Sequence, residues 1–231
     1  MFPAPIPVPD ESAMIGSGQN TVVRETTMTI REALLTIPTA ALSDAQTGMT
    51  TMDAGIKTRT PGLKLVGPAF TVRCLTGSII TVHKALAEAQ PGDVLVIDGL
   101  GDATEALFGE LMGRDAKAAG LAGVVIDGPV RDVVGLRELG LPSFSRHVTP
   151  RVGSNRRLGT LGARISCGSI PVEPGDWIVG DDDGVVVVPR EQAERLVEAG
   201  LAIEQKERGI AAKIDAGERI ADILNFREAF G

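Results

Sequence analysis

Tyrosine is missing from this chain, tryptophan occurs once, and aromatic residues make up only 3% of it. Proteins that bind single-stranded nucleic acid stack bases on aromatic side chains, and this composition offers no such platform. Positive charge is short as well: 23 Lys and Arg stand against 30 Asp and Glu, for a formal net charge of −7. Without a basic footprint to neutralise phosphates, a nucleic-acid partner is not expected. Cysteine is scarce too. Cys74 and Cys167 are far apart with no CxxC pair, which excludes a disulfide scaffold and a cysteine zinc site and makes a reduced, cytoplasmic setting the expectation. No apolar run reaches the ~18 residues of a membrane span, and the N-terminus lacks a signal-peptide pattern, so no membrane association is expected.

What the chain does have is apolar mass: 43% of its 231 residues, enough for a substantial core. Residues 1–25 begin MFPAPIPVPDE, where alternating prolines forbid helix and favour an extended arm. No linker or repeat interrupts residues 26–231, which read as one domain. Thr29 is a cap candidate ahead of Ile30, Ala33, Leu34 and Leu35 at helical spacing. Pro38 ends that helix, and a second short one covers 39–45. Residues 60–76 read as strand. Ser78–Gln90 reads as an amphipathic helix with Ile79, Val82, Ala85, Leu86 and Ala89 on one stripe.

The turn Pro91-Gly92-Asp93 launches VLVIDG, an apolar run suited to a central parallel strand. A glycine-rich loop, the helix ELMGRDAKAAG, the strand VVIDG and a helix over 130–140 follow, which together make a βαβ core. PSFSRHV is a further strand, and residues 150–163 form a loop rich in Arg and Gly. WIVGD and GVVVVP form a hairpin; the Asp run 181–183 lacks the alternating oxygen ligands of a calcium loop. From Arg190 a helix of about two dozen residues runs on.

The stretch Val124–Asp132, VVIDGPVRD, carries the main chemical signal. A strand ending at Ile126 and turning through Gly128 and Pro129 would deliver Arg131 and Asp132 to the sheet edge where α/β proteins bind ligands. One unit upstream, a helix starting at Glu110 after Gly109 would point free amides and a positive dipole end outward, a seat for a small carboxylate. A glycine required only for tight packing explains Gly109 equally well. Gly99-Leu100-Gly101 does not complete a dinucleotide fingerprint, because Thr104 stands at the third glycine position. Glu110, Arg131 and Asp132 would then converge, with Asp132 as a hard-oxygen ligand for a divalent ion.

On the C-terminal helix an apolar seam runs through Ala193, Val197, Gly200, Ala211 and Ile214 and is interrupted by Glu204 and Glu207. Either these carboxylates reach solvent, or the helix packs on another subunit and takes one of them into its site. His83 and His147 lack a third ligand for a metal site. No GxSxG elbow supports a serine hydrolase. Arg151, Arg156 and Arg157 are candidates for a distal substrate carboxylate or for a solvated loop. Lysines are absent from apolar strand interiors, Lys64 being the nearest exception, so the sequence offers no clear desolvated amine for a Schiff base.

GPAFTV, PGDVLVIDG, ALFGELM, AGVVIDGPVRD and VEPGDWIVGDDDGVVVVP, in this order over roughly residues 30–215, resemble the RraA-like proteins. The closest likeness is to their enzyme members, the 4-hydroxy-4-methyl-2-oxoglutarate/4-carboxy-4-hydroxy-2-oxoadipate aldolases. The resemblance implies an α/β fold, a β/β/α sandwich with a central βαβ core and a long C-terminal helix, assembled as homotrimers or homohexamers with intersubunit sites. It implies a metal-dependent pyruvate aldolase of small 2-oxo acids that also decarboxylates oxaloacetate. By position, Asp132 would hold Mg²⁺ or Mn²⁺ and Arg131 would contact the pyruvyl oxygen. Gly109, Leu111 and Met112 would seat the carboxylate, Glu110 would handle a water proton, and Glu207, with Glu204 in reserve, would serve a neighbouring site. The family often has Asp or Glu where this chain has Gly135, so an outer carboxylate is missing. The resemblance also covers non-catalytic regulators that bind a ribonuclease or helicase; shorter regulators lack the C-terminal EQKE helix, which favours the enzyme.

Overall fold

The computed structural model describes residues 28–46, 48, 50–154 and 157–227; the proline-rich arm expected over 1–25 lies outside them. Two short helices open the described chain, α1 (Ile30–Thr36) and α2 (Thr39–Asp44). Thr29 caps α1 through a capping box with Glu32, so two of the helix's orphan donors are satisfied locally. Strands and helices then follow in the order β1 (Lys57–Thr58), β2 (Leu65–Arg73), α3 (Ile80–Glu88), β3 (Val94–Asp98), α4 (Glu110–Ala118), β4 (Gly123–Val130), α5 (Val133–Leu139) and β5 (Ser143–Val148). The remainder is β6 (Thr160–Leu161), β7 (Ile165–Cys167), β8 (Ile170–Val172), β9 (Trp177–Asp181), β10 (Gly184–Val188), α6 (Ala193–Asp215) and α7 (Ile220–Ile223).

One sheet runs β1-β5-β4-β3-β2-β9-β10, with β6 added alongside β2. Its centre, β2 to β5, is parallel, while β9 and β10 join antiparallel as the expected hairpin. The helices α3, α4 and α5 cover one face, burying Leu95, Ile97, Val124 and Ile126 against Val82, Ala116 and Leu136. The small β7-β8 hairpin covers the other face, against Val94, Val96, Val125 and Phe144. The resulting layers are β/β/α around a βαβ centre, as expected. Because both faces are covered, β3 is buried at all five positions, which is why it reads as an unbroken apolar run rather than an alternating one.

Two local readings are corrected. β4 does not turn at Gly128-Pro129: it continues to Val130, and its pairing with β5 slips from Ile126↔Ser145 to Pro129↔His147. Proline has no amide to donate and glycine fits a bulge, so these residues place an irregularity inside the strand instead of ending it. The loop 150–163 also contains β6, paired with Val72 and Arg73.

The seam of α6 is also shorter than its sequence pattern suggests. Ala193, Leu196 and Gly200 are buried, with Val197 packed beside them. A Cβ at 200 would come 3.0 Å from Ile37 and 3.4 Å from Leu42, so glycine permits the close approach of α6 to α1 and α2. Beyond Ile203 the helix leaves this chain's core: Ala211 is exposed and Ile214 is 42% exposed.

Candidate active site

The Arg131-Asp132 pair sits where β4 hands over to α5. The Arg131 amide donates to Phe108 O at 3.0 Å, and the Leu107 amide donates to Pro129 O at 2.9 Å. These two bonds fasten the loop before α4 to the end of β4. Asp132 has φ 54° and ψ 42°, left-handed backbone that aspartate tolerates at a cost. It stands at the N-cap position of α5 without capping it. Its carboxylate turns instead toward α4: Oδ2 lies 3.2 Å from Arg131 Nε and 3.4 Å from the Glu110 amide.

Gly109 precedes α4 as its N-cap. A Cβ there would fall 2.8 Å from Asp132 Oδ2 and 2.9 Å from Arg131 Cγ, so the glycine is required for the approach of the ion pair. This settles one open reading of Gly109: close packing is present, and what packs against it is the candidate site itself. The amides of Leu111 and Met112, left over at the helix start, donate to no acceptor among the described residues.

Around this point lies a cleft of about 140 Å³, lined by Gly109, Leu111, Met112, Arg131 and Asp132 on one side. Ile79 and His83 of the α3 segment, with Val152, form the other side, and Phe108 contributes to its lining. The two sides are stitched by backbone. Ala106 N donates to Arg151 O at 2.7 Å, Gly153 N to Ala106 O at 3.1 Å, and Ile79 N to Ser154 O at 2.9 Å. Such a frame holds a site's groups in place before a ligand arrives.

The structure thus brings together Gly109, Leu111, Met112, Arg131 and Asp132, but not the carboxylates expected beside them. The Glu110 backbone faces Asp132, while its carboxylate is held by Arg114 at 2.9 and 2.5 Å and does not line the cleft. Glu207 is exposed and Glu204 half-buried on α6, and neither reaches this chain's cleft. His83, which sequence spacing offered only as a metal ligand without partners, stands in the cleft wall. Its signal was the stripe itself: His83 lies one turn after Ile79.

The two VIDG aspartates serve a different structure. Asp98 pairs with Arg73 at 3.1 Å, and Asp127 accepts from Arg146 and from the Gly168 amide at 2.7 Å. Arg146 also binds Asp53 at 2.9 Å. The hydrogen bond that Arg146 donates to Asp127, together with the nearby Asp127 and Asp53 charges, raises the Arg146 guanidinium above its usual value against the opposing effect of burial. This row ties the edges of β2 to β5 to the β7-β8 turn. Lys64 is also committed, to Asp181 at 2.9 Å and Ile37 O at 2.7 Å, which removes it as an imine-forming amine.

Among the described residues no group of three His, Cys, Asp or Glu could hold a metal ion, so any ion at this site would rest on Asp132. The donor chemistry fits a hard divalent ion. Asp132 is a carboxylate at the cleft, its side chain is 41% exposed, and hydrogen bonding engages Oδ2 rather than Oδ1. Magnesium keeps several waters and needs only one or two protein carboxylates.

Residues 39–187 match the family model described as RraA-like, Aldolase/RraA. A protein of Halalkalibacterium halodurans, provisionally named 4-hydroxy-4-methyl-2-oxoglutarate aldolase, is 41% identical over 156 residues, 66% of this chain and 74% of its own length. The crystal structure of an uncharacterised protein from Pseudomonas syringae pv. tomato superposes with a TM-score of 0.76 at 32% identity, covering 84% of this chain and 95% of that one. Streptomyces coelicolor RraAS2, described as an unusual member of the RNase ES inhibitor RraA protein family, gives 0.71 at 30% identity, covering 80% and 97%. The chain belongs to the Aldolase/RraA family.

Proposed function

We propose that this protein is a divalent-metal-dependent lyase that cleaves a 4-hydroxy-2-oxo di- or tricarboxylate to pyruvate and a second keto acid, and that decarboxylates oxaloacetate in the same cleft. One observation carries the reading: Arg131 and Asp132 meet the free amides of α4 across Gly109, within a single cleft. The amides of Leu111 and Met112 and the helix dipole bind the carboxylate of the 2-oxo acid. Arg131 fixes the keto oxygen. Asp132 is the residue that would hold the ion, Mg²⁺ or Mn²⁺. When bound, that ion supplies Lewis acidity to the negative charge that carbon–carbon cleavage leaves on the keto acid. Ile79, Phe108 and Met112 supply the apolar part of the cleft lining beside these groups.

The exposed second half of α6, with Glu204 and Glu207, suits docking on another copy, in keeping with a trimer or hexamer whose sites lie between subunits. The likeness to RraAS2 favours a second reading, a non-catalytic regulator of a ribonuclease or helicase. The test is pyruvate release, coupled to lactate dehydrogenase, from 4-hydroxy-4-methyl-2-oxoglutarate and from oxaloacetate, with and without Mg²⁺. Turnover that requires the ion supports the lyase. Absence of turnover on both substrates with Mg²⁺ present leaves the regulator.

A further inference from the structure

The cleft has three polar side chains, and the proposed chemistry accounts for two of them. Arg131 and Asp132 stand together at the α4 end, paired at 3.2 Å. The third, His83, stands on the α3 side beside Ile79, exposed, and its ring takes part in no hydrogen bond with the described residues. A 2-oxo acid seated at the α4 end has its carboxylate and keto oxygen bound there, and the rest of the molecule must extend toward the opposite wall. The polar side chain on that wall is an imidazole, which donates hydrogen bonds from either ring nitrogen according to tautomer.

Of the three loop arginines, Arg156 lies outside the described residues and the other two are poorly placed for this task. Arg151 is engaged with Glu105 at 3.1 Å, and Arg157 lies outside the cleft lining, its amide donating to Ser78 Oγ at 3.3 Å. The position of His83 is also fixed by backbone rather than by chance packing. The start of α3 is bound to the loop that carries Val152 through Ile79 N to Ser154 O at 2.9 Å and Ser154 N to Gly77 O at 2.6 Å. A Cβ at Gly153 would come 2.7 Å from Gly77 O and 2.8 Å from Ile79, so the loop and the helix start approach as closely as glycine permits.

We propose that His83 is the distal-group subsite of the cleft: it donates a hydrogen bond to the far carboxylate of the substrate and selects 2-oxo dicarboxylates over 2-oxo monocarboxylates. This rests on the keto-acid reading of the Arg131 end, and it adds a residue and a selectivity that the reading lacks.

Two probes separate the ends of the cleft. Pyruvate fills only the keto-acid end; 2-oxoglutarate adds a distal carboxylate and cannot undergo the aldol cleavage. Both are titrated by calorimetry into the full chain with Mg²⁺, together with His83→Leu and His83→Gln. His83→Leu is expected to weaken 2-oxoglutarate about tenfold, the loss of one hydrogen bond to a charged group, and to leave pyruvate unchanged. His83→Gln, which keeps a donor, recovers part of the difference. The chain has two histidines, His83 and His147, so ring-labelled protein gives two imidazole signals, and the His83 signal moves with 2-oxoglutarate and not with pyruvate. If both ligands shift the backbone amides of Gly109–Met112 but His83 responds equally to the two, or His83→Leu weakens both equally, the subsite is overturned and the keto-acid reading stands. If neither ligand moves those amides, both fall together.

Discussion

Glu110 and Gly135 share one space. A Cβ on residue 135 would lie 2.5 Å from Glu110 Cδ and 2.7 Å from its Cγ. At residue 135 α5 has a bare backbone, and the Glu110 carboxylate of α4 fills the volume while held by Arg114.

The shared volume predicts strong coupling between the two positions. Gly135 sits inside α5 without a left-handed φ, so Gly135→Ala gains about 1 kcal/mol of helix propensity. It loses a similar amount by displacing the Glu110 side chain from Arg114. In a Glu110→Ala background only the gain remains. A double-mutant cycle by urea denaturation is expected to show near-neutrality in the first case and a stabilisation of about 1 kcal/mol in the second. Additive effects would mean that Glu110 does not occupy this space in solution.

Gly109 is the position at which one carbon atom separates fold from function. Gly109→Ala places a methyl 2.8 Å from Asp132 Oδ2 and 2.9 Å from Arg131 Cγ, and the ion pair must move. A misplacement of about 1 Å costs on the order of 10²-fold in rate. The backbone here is extended, φ −158°, so alanine is not strained by φ. The expected result is a loss of pyruvate release of that order with unchanged far-UV circular dichroism. Wild-type turnover would show that Arg131 and Asp132 act from some other arrangement.

What sequence could and could not reveal follows from the range of each signal. The apolar runs of β3 and β4, the stripe of α3 and the turn at 91–93 are local patterns, and the fold follows them. The Arg131-Asp132 pair and the α4 start were legible as neighbours in one βαβ unit. Two features depend on residues far apart in sequence: the slip at Gly128-Pro129, set by pairing with β5, and the cleft wall at His83, completed by the loop that carries Val152. The Glu110–Arg114 pair is local, at i,i+4 on α4, but sequence spacing does not say whether the carboxylate turns to that arginine or to the cleft. The seam of α6 misled because a period of 3.6 shows which face is apolar but not where the core ends.

Asp132 has its own signature in stability. Its left-handed backbone costs a residue with a Cβ about 1 kcal/mol, while glycine adopts it freely. Asp132→Ala and Asp132→Gly are both expected to abolish Mg²⁺-dependent turnover and to fold. The glycine variant should be more stable than the alanine variant by about 1 kcal/mol in chemical denaturation. Equal stabilities would contradict the left-handed geometry, and retained turnover would remove Asp132 from the ion site.

Neither cysteine is available for chemistry in the folded chain. Burial pushes the Cys74 thiol up to about 12, with the Asp98 charge adding to the effect. Burial, together with Asp127 and Asp98, raises Cys167 well above the usual thiol range. The thiolate is the reactive form, so both are expected to ignore a disulfide reagent at pH 8 and to react in denaturant. Rapid labelling of either in native buffer would contradict the burial of β7 or of the end of β2.

Acid should weaken the far end of the molecule through Asp181. Burial raises the carboxyl, but the Thr39 hydroxyl and amide and the Lys64 ammonium outweigh it and hold the group below its ordinary 3.8. A carboxylate with a depressed folded value stabilises above its unfolded value, and that stabilisation is lost as pH falls through the folded one. Asp181 joins α2, through Thr39 N at 2.9 Å, to the β9-β10 hairpin. Lys64 is its partner at 2.9 Å, and both side chains are 22% exposed, so solvent screens the pair only in part. Asp181→Asn is therefore expected to cost about 1–2 kcal/mol at pH 7. The gap to wild type should begin to close as pH drops below the ordinary 3.8, where Asp181 of the unfolded chain takes up its proton first, and should be gone once the pH is below the depressed folded value. Lys64→Met should show the same convergence from the other partner, since neutralising Asp181 takes from wild type the ion pair that the variant already lacks. A gap that stays constant from pH 7 to pH 3 would mean that Asp181 supports α2 by shape rather than by charge.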